Sequence, residues 1–276
     1  MYYQGILKKM RTRDDSPVTY ELPVGDFLVP LNDYIGQPVR LHYTGRIYCL
    51  NCGAKTSKSF SQGFCYKCFR NSASADMCIM KPETCHFHLG TCREPEWALT
   101  HCFQPHVVYL ANSSGLKVGI TRGTQVPTRW LDQGARQALP IMAVKTRLQA
   151  GLAEVIFANH ISDKTAWQRL LKEEAPDLDL MLLRDELLIL CADELAELQA
   201  RYPGELQLLS EEPQREFCYP VQQYPVKVKA FNLDNAPDVS GKLMGIKGQY
   251  LILDTGVINI RKYGGYEIEF GEQPHD

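Results

Sequence analysis

Residues 106–130 read HVVYLANSSGLKVGITRGTQVPTRW, and they are the most informative stretch of the chain about its fold. Two short apolar runs, 107–110 and 116–121, are joined by Asn, Ser, Ser and Gly, a composition that favours a tight turn between two strands. Pro127 follows, a residue type that suits the first turn of a helix, and that helix would carry Arg129. The stretch therefore predicts a β-hairpin that runs into a helix.

The residues that follow this hairpin predict one more strand and then helices. Residues 139–145 (LPIMAVK) predict a third strand, and residues 146–161 (TRLQAGLAEVIFANHI) predict a helix. Residues 162–174 begin with a helix-start signal followed by an apolar stripe. Residues 178–204 are strongly helical up to a Pro-Gly pair that ends the pattern.

Both ends of the chain are predicted to form strands. Near the N-terminus, strand-like runs alternate with turn signals: VTYEL (18–22), FLVPL (27–31) and PVRLHY (38–43). The pattern returns near the C-terminus in VKVKAFNL (226–233), GKLMGIKG (241–248), QYLILDTGVINIRKY (249–263) and YEIEF (266–270). Because each end is short for an independent β domain, the two could complete one small barrel.

These segments predict an α+β fold in which a small mixed α/β module lies between other parts. The predicted division is a β-rich N-terminal segment (1–48), a cysteine- and histidine-rich block (49–104), the mixed module (105–165), an acidic helical segment (166–217) and a β-rich C-terminal segment (218–276).

The charge is distributed unevenly, although the formal net charge is only −2. Between residues 106 and 171, eight basic residues stand against three acidic ones, whereas between 172 and 217 four basic residues stand against thirteen acidic ones. Such an asymmetry favours a polyanion such as DNA or RNA on the basic part and a protein partner on the acidic helices. Ordinary variation between surfaces is the alternative.

The sequence predicts a soluble, cytoplasmic protein with no membrane partner. The first fifteen residues, MYYQGILKKMRTRDD, contain no apolar signal region. No uncharged stretch approaches the roughly 20 residues needed to span a bilayer.

Two CxxC pairs predict a zinc ribbon. The sequences Cys49-Leu-Asn-Cys52 and Cys65-Tyr-Lys-Cys68 are separated by twelve residues. In a reducing compartment such a pattern is typical of four thiolates around one tetrahedral Zn²⁺. Because four sulfurs fill the coordination sphere and leave no position for water, this zinc is predicted to be structural.

A second group of metal-ligand residues follows at irregular spacing. Its first-choice ligands are four cysteines, Cys78, Cys85, Cys92 and Cys102, and the alternates are His86, His88, His101 and His106. A second structural zinc is the leading interpretation. A catalytic metal, an iron–sulfur cluster and unliganded buried cysteines are the alternatives. Cys191 and Cys218, outside this group, are predicted to be buried small hydrophobic residues and not functional thiols.

The middle module resembles the GIY-YIG nuclease family over roughly residues 105–165. The resemblance rests on the tripeptide at 107–109 (VVY), the pentapeptide at 117–121 (KVGIT), Arg129 in the following helix and Glu154 in the next one. A wider likeness, through the cysteine-rich block together with VYLANSSGLKVGITR and PTRWLDQGA, is to an uncharacterised bacterial family of zinc-binding proteins.

The resemblance implies a divalent-metal-dependent nuclease with catalytic residues Tyr109, Lys117, Gly119, Arg129 and Glu154. Arg129 would stabilise the charge that develops on the phosphate, and Glu154 would hold Mg²⁺ or Mn²⁺. Tyr109 would orient or deprotonate the attacking water, and Gly119 would allow a close approach. Further contacts to the nucleic acid would come from Thr121, Arg122, Arg136 and Arg147.

One residue departs from the family pattern, since Lys117 stands where the second motif has a tyrosine. The alternative function is therefore a catalytically inactive nucleic-acid-binding protein, or a regulatory factor that binds another protein. Tyr109 could instead be a packed aromatic residue, and Arg129 and Glu154 could form a structural ion pair. Gly151, which costs about 1 kcal/mol in a helix relative to alanine, predicts close packing of its helix on the hairpin.

Overall fold

The computed structural model describes residues 2–161 and 167–272, and these residues form an α+β fold. Its strands are β1 (Tyr2–Ile6), β2 (Arg11–Arg13), β3 (Thr19–Val24), β4 (Phe27–Pro30), β5 (Pro38–Tyr48), β6 (Lys55–Thr56), β7 (His106–Asn112), β8 (Leu116–Arg122), β9 (Gln137–Val144), β10 (Leu206–Leu208), β11 (Arg215–Glu216), β12 (Asp238–Lys247), β13 (Tyr250–Leu253), β14 (Gly256–Asn259) and β15 (Tyr266–Glu272).

The helices are short and most of them lie in the middle of the chain. The α-helices are α1 (Tyr66–Asn71), α2 (Met77–Met80), α3 (Pro95–His101), α4 (Thr128–Asp132), α5 (Arg147–Ala158), α6 (Trp167–Leu170), α7 (Leu180–Leu190) and α8 (Ala192–Arg201). Short 3-10 helices cover Leu31–Tyr34, Ala73–Ala75, Pro82–Thr84, Phe87–Leu89, Gly123–Gln125 and Ile260–Tyr263. Within the described ranges, no helix has the length and apolar character needed to cross a bilayer.

Strands from the two ends of the chain share one antiparallel sheet with the order β1-β15-β5-β12-β13-β14. The N-terminal β1 pairs with the C-terminal β15, so that Tyr2 lies opposite Gly271. The long strand β5 lies between β15 and β12, with Val39 opposite Glu272 on one side and Gly241 on the other. A three-stranded sheet, β2-β3-β4, contributes buried side chains such as Leu22 and Val29 to the same core.

The hairpin belongs to a second sheet with the order β10-β9-β7-β8, and β11 also pairs with β9. Strand β7 runs between β8 and β9, which explains why its residues 108–112 are buried. The buried Asn112 side chain donates hydrogen bonds to Gln137 Oε1 at 2.9 Å and to the Pro176 carbonyl at 2.7 Å. These bonds attach the end of the hairpin to the chain that leads into α7.

Helix α5 packs across this sheet and begins with a capping box, in which Thr146 and Gln149 bond to each other's backbone N–H groups. Its apolar face joins a core with side chains of β7, β8, β9, α7 and α8. The acidic helices α7 and α8 use leucines for this packing and place most of their acidic residues outside it. Their predicted single helical run is divided at Cys191, between α7 and α8.

Two segments with predicted secondary structure are not strands or helices in the described part of the chain or lie outside it. The strand predicted for 226–233 was wrong: only Ala230 forms a bridge there, to Val257, and Val226 is 94 % exposed. Val228, Phe231 and Leu233 still pack against the core, but the backbone of this segment pairs with β14 only around Ala230, through hydrogen bonds of Lys229 and Phe231 with Val257, so no strand forms. The helix-start signal at 162–165 lies outside the described residues, and α6 follows directly after them.

Candidate functional site

The two CxxC pairs come together in space. The sulfurs of Cys49, Cys52, Cys65 and Cys68 all lie within 4.8 Å of one another, and the Cys52 and Cys65 sulfurs are 3.8 Å apart. Tetrahedral coordination with Zn–S bonds of about 2.3 Å places neighbouring sulfurs roughly 3.8 Å apart. This cluster is compatible with a structural zinc ion.

Local structure explains how each half of this cluster forms. Cys49 follows β5 directly, and its carbonyl accepts a hydrogen bond from the Gly53 N–H at 2.8 Å, which curls the first knuckle. Cys65 caps α1, so that its sulfur accepts the Cys68 N–H at 3.5 Å. Asn51 Nδ2 donates to the Cys68 sulfur at 3.4 Å. These donors stabilise thiolates, which is the form that binds zinc.

The thiols of this cluster influence one another strongly. Burial raises the pKa of Cys49, but hydrogen bonds from nearby backbone N–H groups outweigh it and lower the pKa to about 6. For Cys68, the Asn51 hydrogen bond lowers the pKa, while burial and the three other thiols raise it to about 12. Four thiols this close cannot all ionise without a cation between them.

The second group of cysteines also converges, but less tightly. Cys78, Cys85, Cys92 and Cys102 all line one cavity, although no three of them meet within 4.8 Å in the described part of the chain. The pKa of Cys78 is raised to about 11, first by burial and then by Asp76 and the other cysteines of the group. The four thiols are therefore near enough to interact.

The alternate histidine ligands differ in their surroundings, and His86 is the one that lines the cavity. The His101 ring stacks on Trp97 with centroids 4.1 Å apart, while His88 is exposed. His106 is buried, its Nδ1 lies 2.7 Å from the Gln104 carbonyl, and burial lowers its pKa to about 4. These contacts make His86 the strongest of the alternates.

Tyr109 lies at the centre of the nuclease-like residues and is completely buried. Its hydroxyl donates to Gln133 Oε1 at 2.8 Å, and its ring packs edge-on against Trp130 with centroids 5.7 Å apart. Burial raises the pKa of Tyr109 to about 12, although the charge of nearby Arg129 acts in the opposite direction. A phenol with this pKa stays protonated near neutral pH, which favours a packing role over that of a base.

Gly119 lies directly across the hairpin from Tyr109. A Cβ atom at this position would come within 2.7 Å of the Tyr109 hydroxyl oxygen and 2.8 Å of its ring carbon Cζ. The absence of a side chain at Gly119 therefore makes room for the Tyr109 ring. The resemblance implied instead that this glycine would allow a close approach.

Arg129 on α4 and Glu154 on α5 are brought to the same place as Tyr109, since the charges of both act on its hydroxyl. Both side chains are half-buried. Burial raises the pKa of Glu154, Glu83 raises it further, and Arg147 and Arg129 lower it. No ion pair within 4.0 Å joins Arg129 to Glu154 in the described residues, so the structural ion pair considered above is not formed.

Glu83 lies in the 3-10 helix Pro82–Thr84 of the cysteine-rich block, and no motif in the sequence pointed to it. It is half-buried and close enough to raise the pKa of Glu154. Neighbouring carboxylates are hard oxygen ligands, and Mg²⁺ is commonly bound through one or two of them. Glu154 and Glu83 are thus two half-buried carboxyl groups whose charges are close enough to interact.

The contact that brings Glu83 to Glu154 depends on Gly151 of α5. A Cβ atom at Gly151 would lie 2.5 Å from Pro82 Cβ and 2.7 Å from the Glu83 backbone nitrogen. Helix α5 packs on the hairpin strands β7 and β8, as predicted, whereas the close contact at Gly151 itself is made with the cysteine-rich block. Sequence could not identify this neighbour because the two segments are far apart in the chain.

Replacing Gly151 by alanine is expected to destabilise the protein by about 1–3 kcal/mol through overpacking. The sign of this change in the free energy of unfolding tests the contact, because in an isolated helix alanine is about 1 kcal/mol more favourable than glycine and would stabilise the protein. Urea unfolding of the full chain measures the difference. As a control, Gly123→Ala should have little effect, since its nearest neighbour would be 3.7 Å away. Stabilisation by Gly151→Ala would contradict the contact.

Lys117 lines a cavity of about 230 Å³ together with Gln133, which accepts the hydrogen bond of the Tyr109 hydroxyl. The cavity is also lined by Arg261, which comes from the 3-10 helix Ile260–Tyr263 of the C-terminal segment. The pKa of Arg261 is lowered first by burial and then by the charge of Arg129. Arg261, which the sequence did not predict as a site residue, therefore lies close to the predicted cations Lys117 and Arg129.

The remaining predicted nucleic-acid contacts have mixed surroundings. Arg136 forms an ion pair with Asp177 at 2.9 Å and donates to the Ala175 carbonyl at 2.8 Å, which fastens it to the acidic segment. Arg147 Nη2 donates to the Ile79 carbonyl at 2.7 Å. Thr121 is buried, and Arg122 is half-buried near Cys102 and His106. Of these four, Arg147 is the one whose charge reaches Glu154.

Comparison with known proteins gives one match. A family model described as "Protein of unknown function (DUF2797)" matches residues 36–268. No curated protein and no solved structure matches the chain.

Proposed function

This chain belongs to the DUF2797 family of proteins of unknown function, and we propose that it binds nucleic acid through its middle module and hydrolyses phosphodiester bonds there with Mg²⁺ or Mn²⁺. The observation that carries the proposal is the meeting of Arg129 and Glu154, from two different helices, around the hydroxyl of Tyr109. The order of these residues along the chain is the one that resembles the GIY-YIG nuclease family.

The chemistry assigns different work to each charged group. Phosphodiester hydrolysis develops negative charge on the phosphate, and the Arg129 guanidinium is suited to stabilise it through two parallel hydrogen bonds. Glu154 and Glu83 would hold the divalent cation, which supplies Lewis-acid stabilisation of the same charge when bound. Tyr109 acts as a positioning residue, because it holds Gln133 at the inner wall of the Lys117 cavity.

Lys117 and Arg261 extend the positive charge around this site. Both line the cavity beside Gln133, and Arg129 is near enough to lower the pKa of Arg261, whose largest pKa shift comes from burial. The Asp132 carboxylate lines the same cavity and offsets part of this positive charge, and an anionic ligand would interact favourably with the remaining cations. A backbone phosphate of DNA or RNA has the matching charge, and it would lie along this rim.

The first test is a cleavage assay of the zinc-loaded full chain on plasmid DNA and structured RNA, with Mg²⁺, with Mn²⁺ and with a chelator that removes both. Cutting that requires the added cation supports the proposal. If the chain neither cuts nor binds any substrate of a panel that a control nuclease degrades, the proposal is overturned.

Replacing Lys117 by glutamine is expected to weaken nucleic-acid binding and to reduce the salt dependence of the affinity by about one released counterion. Fluorescence anisotropy with a labelled duplex at several salt concentrations measures both quantities. Lys227→Gln, at an exposed position of the C-terminal segment, is the matched control and should bind like the unaltered chain. If the affinity depends equally on salt concentration in all three proteins, Lys117 does not contact the nucleic acid.

A second candidate function is nucleic-acid binding without hydrolysis, or a regulatory role through a protein partner on the acidic helices. Two observations favour it: Tyr109 is fully buried with a pKa of about 12, and Lys117 replaces the second tyrosine of the motif. Binding without cleavage in every cation condition selects the binding protein. An interaction that hardly responds to salt selects the protein partner, since contacts with phosphates weaken steeply as the salt concentration rises.

A further inference from the structure

We propose that Cys78, Cys85, Cys92 and Cys102 bind an iron–sulfur cluster, and that the chain thus carries a cluster in addition to its zinc. All four cysteines line one cavity inside the cysteine-rich block. The proposal does not depend on nuclease activity, because it concerns a separate cavity and is read out by metal content.

The separation of the sulfurs distinguishes this site from the zinc site of the same chain. The sulfurs of Cys49, Cys52, Cys65 and Cys68 close to within 4.8 Å of one another, as one zinc ion requires. In the second group no three sulfurs are that close within the described residues, although all four face the same space. A cluster of several irons and sulfides fills the gap between thiolates that stand farther apart than on a single ion.

The walls of the cavity have the character that such a cluster needs. Apart from the cysteines they are mainly apolar, with side chains of Ile79, Phe87, Trp97 and Ala98. The Phe87 ring, which lines the cavity, packs on Phe103 with centroids 4.6 Å apart. Apolar surroundings limit the access of water and oxygen to a cluster and influence its potential.

Arg147 supplies a positive charge next to the cavity. Its backbone N–H donates to the Cys102 carbonyl at 2.8 Å, and its Nη2 donates to the Ile79 carbonyl at 2.7 Å. Its Nε is buried and has no hydrogen-bond partner in the described part of the chain. A cluster held by four thiolates carries net negative charge, and a buried guanidinium beside it offsets that charge.

A competing site is formed by Asp76, Cys78 and His86, whose ligand atoms lie within 4.8 Å of one another. The Asp76 carboxylate, however, is already bonded to Arg93 Nε at 2.8 Å and to the Met77 N–H at 2.6 Å. His86 Nδ1 lies 2.7 Å from the Thr91 hydroxyl. This arrangement uses one of the four cysteines, so we interpret it as a hydrogen-bond network in the cavity wall.

The cluster would also support the proposed catalytic helix. Pro82 and Glu83 lie between Cys78 and Cys85 in sequence and press on Gly151 of α5. A cluster that fixes the two cysteines would hold this turn, and with it Glu83, against the helix that carries Glu154.

The test is analysis of iron, acid-labile sulfide and zinc in the full chain, produced with sufficient iron and purified without oxygen. We expect iron and sulfide in equal amounts, a broad charge-transfer absorption in the visible range, and about one zinc ion per chain. Two zinc ions without sulfide would overturn the proposal. So would the zinc of the first site alone, with the thiols of the second group freely titratable.

Substitutions separate the two sites. Cys92→Ser should lose iron and sulfide and keep zinc, whereas Cys52→Ser should lose zinc and keep the visible absorption. Cys218 is exposed, so the prediction that it is buried was wrong, and it lies outside both groups. Cys218→Ser is therefore the control and should keep the zinc, the iron and the sulfide. Iron that persists in Cys92→Ser at the level of the control would refute the assignment, and the metal content of the unaltered chain decides the question even if a variant fails to fold.

Discussion

Replacing Glu154 by glutamine is expected to reduce the divalent-metal-dependent cleavage of nucleic acid by at least about 100-fold, with binding largely unchanged. Glutamine keeps the size of the side chain and removes the negative charge that would hold the cation. Glu83 remains nearby and would retain only part of the affinity for the cation. Single-turnover cleavage rates and duplex affinities, measured on the same preparations, separate the two effects.

The matched control for Glu154 is Glu197→Gln, an exposed glutamate on helix α8 that should cleave at the rate of the unaltered chain. Restored cleavage of Glu154→Gln at high Mn²⁺ would strengthen the assignment as a metal ligand. Cleavage by Glu154→Gln at the rate of the control would contradict it and would move the reaction elsewhere in the module.

Removal of the zinc from the first cysteine cluster is expected to have the largest effect on stability. Structural zinc contributes of the order of 10 kcal/mol to the folding of small zinc domains. Here the cluster follows β5, and Leu50 packs against Gly63 and Gly264 at the end of the terminal sheet. Loss of zinc in Cys52→Ser should therefore lower the thermal midpoint of the whole chain and expose the segment 49–71 to proteases.

Zinc release by a chelator, followed with a colorimetric indicator while circular dichroism records unfolding, measures this coupling. Leu195→Ala, at a buried leucine of the acidic helix α8, is a useful comparison because it should lower stability without releasing metal. A chain that loses its zinc and keeps both its thermal midpoint and its protease resistance would show that the ion is not structural.

The local elements were predictable because their signals lie close together in sequence. The Asn-Ser-Ser-Gly turn between apolar runs leads to the β7–β8 hairpin, and the CxxC spacing leads to the four sulfurs within 4.8 Å. The α+β class followed from the same patterns. The strand expected at 226–233 was wrong: the segment reaches the edge strand β14 but pairs with it only around Ala230, and alternation in the sequence does not specify how far such a pairing extends.

The candidate site was only partly predictable. Tyr109, Arg129 and Glu154 were identified through a resemblance, and their convergence needed the packing of α4 and α5 on the sheet. Glu83 and Arg261 lie in segments that no motif connects to the hairpin. Glu83 is brought close to Glu154 by the contact at Gly151, and Arg261 reaches the Lys117 cavity from the 3-10 helix Ile260–Tyr263. Such contacts depend on how the surfaces of distant segments fit together, and they produce no periodic pattern in the sequence.

By itself, therefore, the sequence determined the hairpin, the helical and β-rich segments and the zinc-type cysteine cluster, because turn residues, apolar periodicity and ligand spacing act over a few residues. The tertiary structure decided which groups share an environment. Burial keeps Tyr109 protonated. The packing of distant segments brings a second carboxylate, Glu83, close to Glu154 and places four further cysteines around one apolar cavity. These properties arise from desolvation and from distances between residues far apart in the chain.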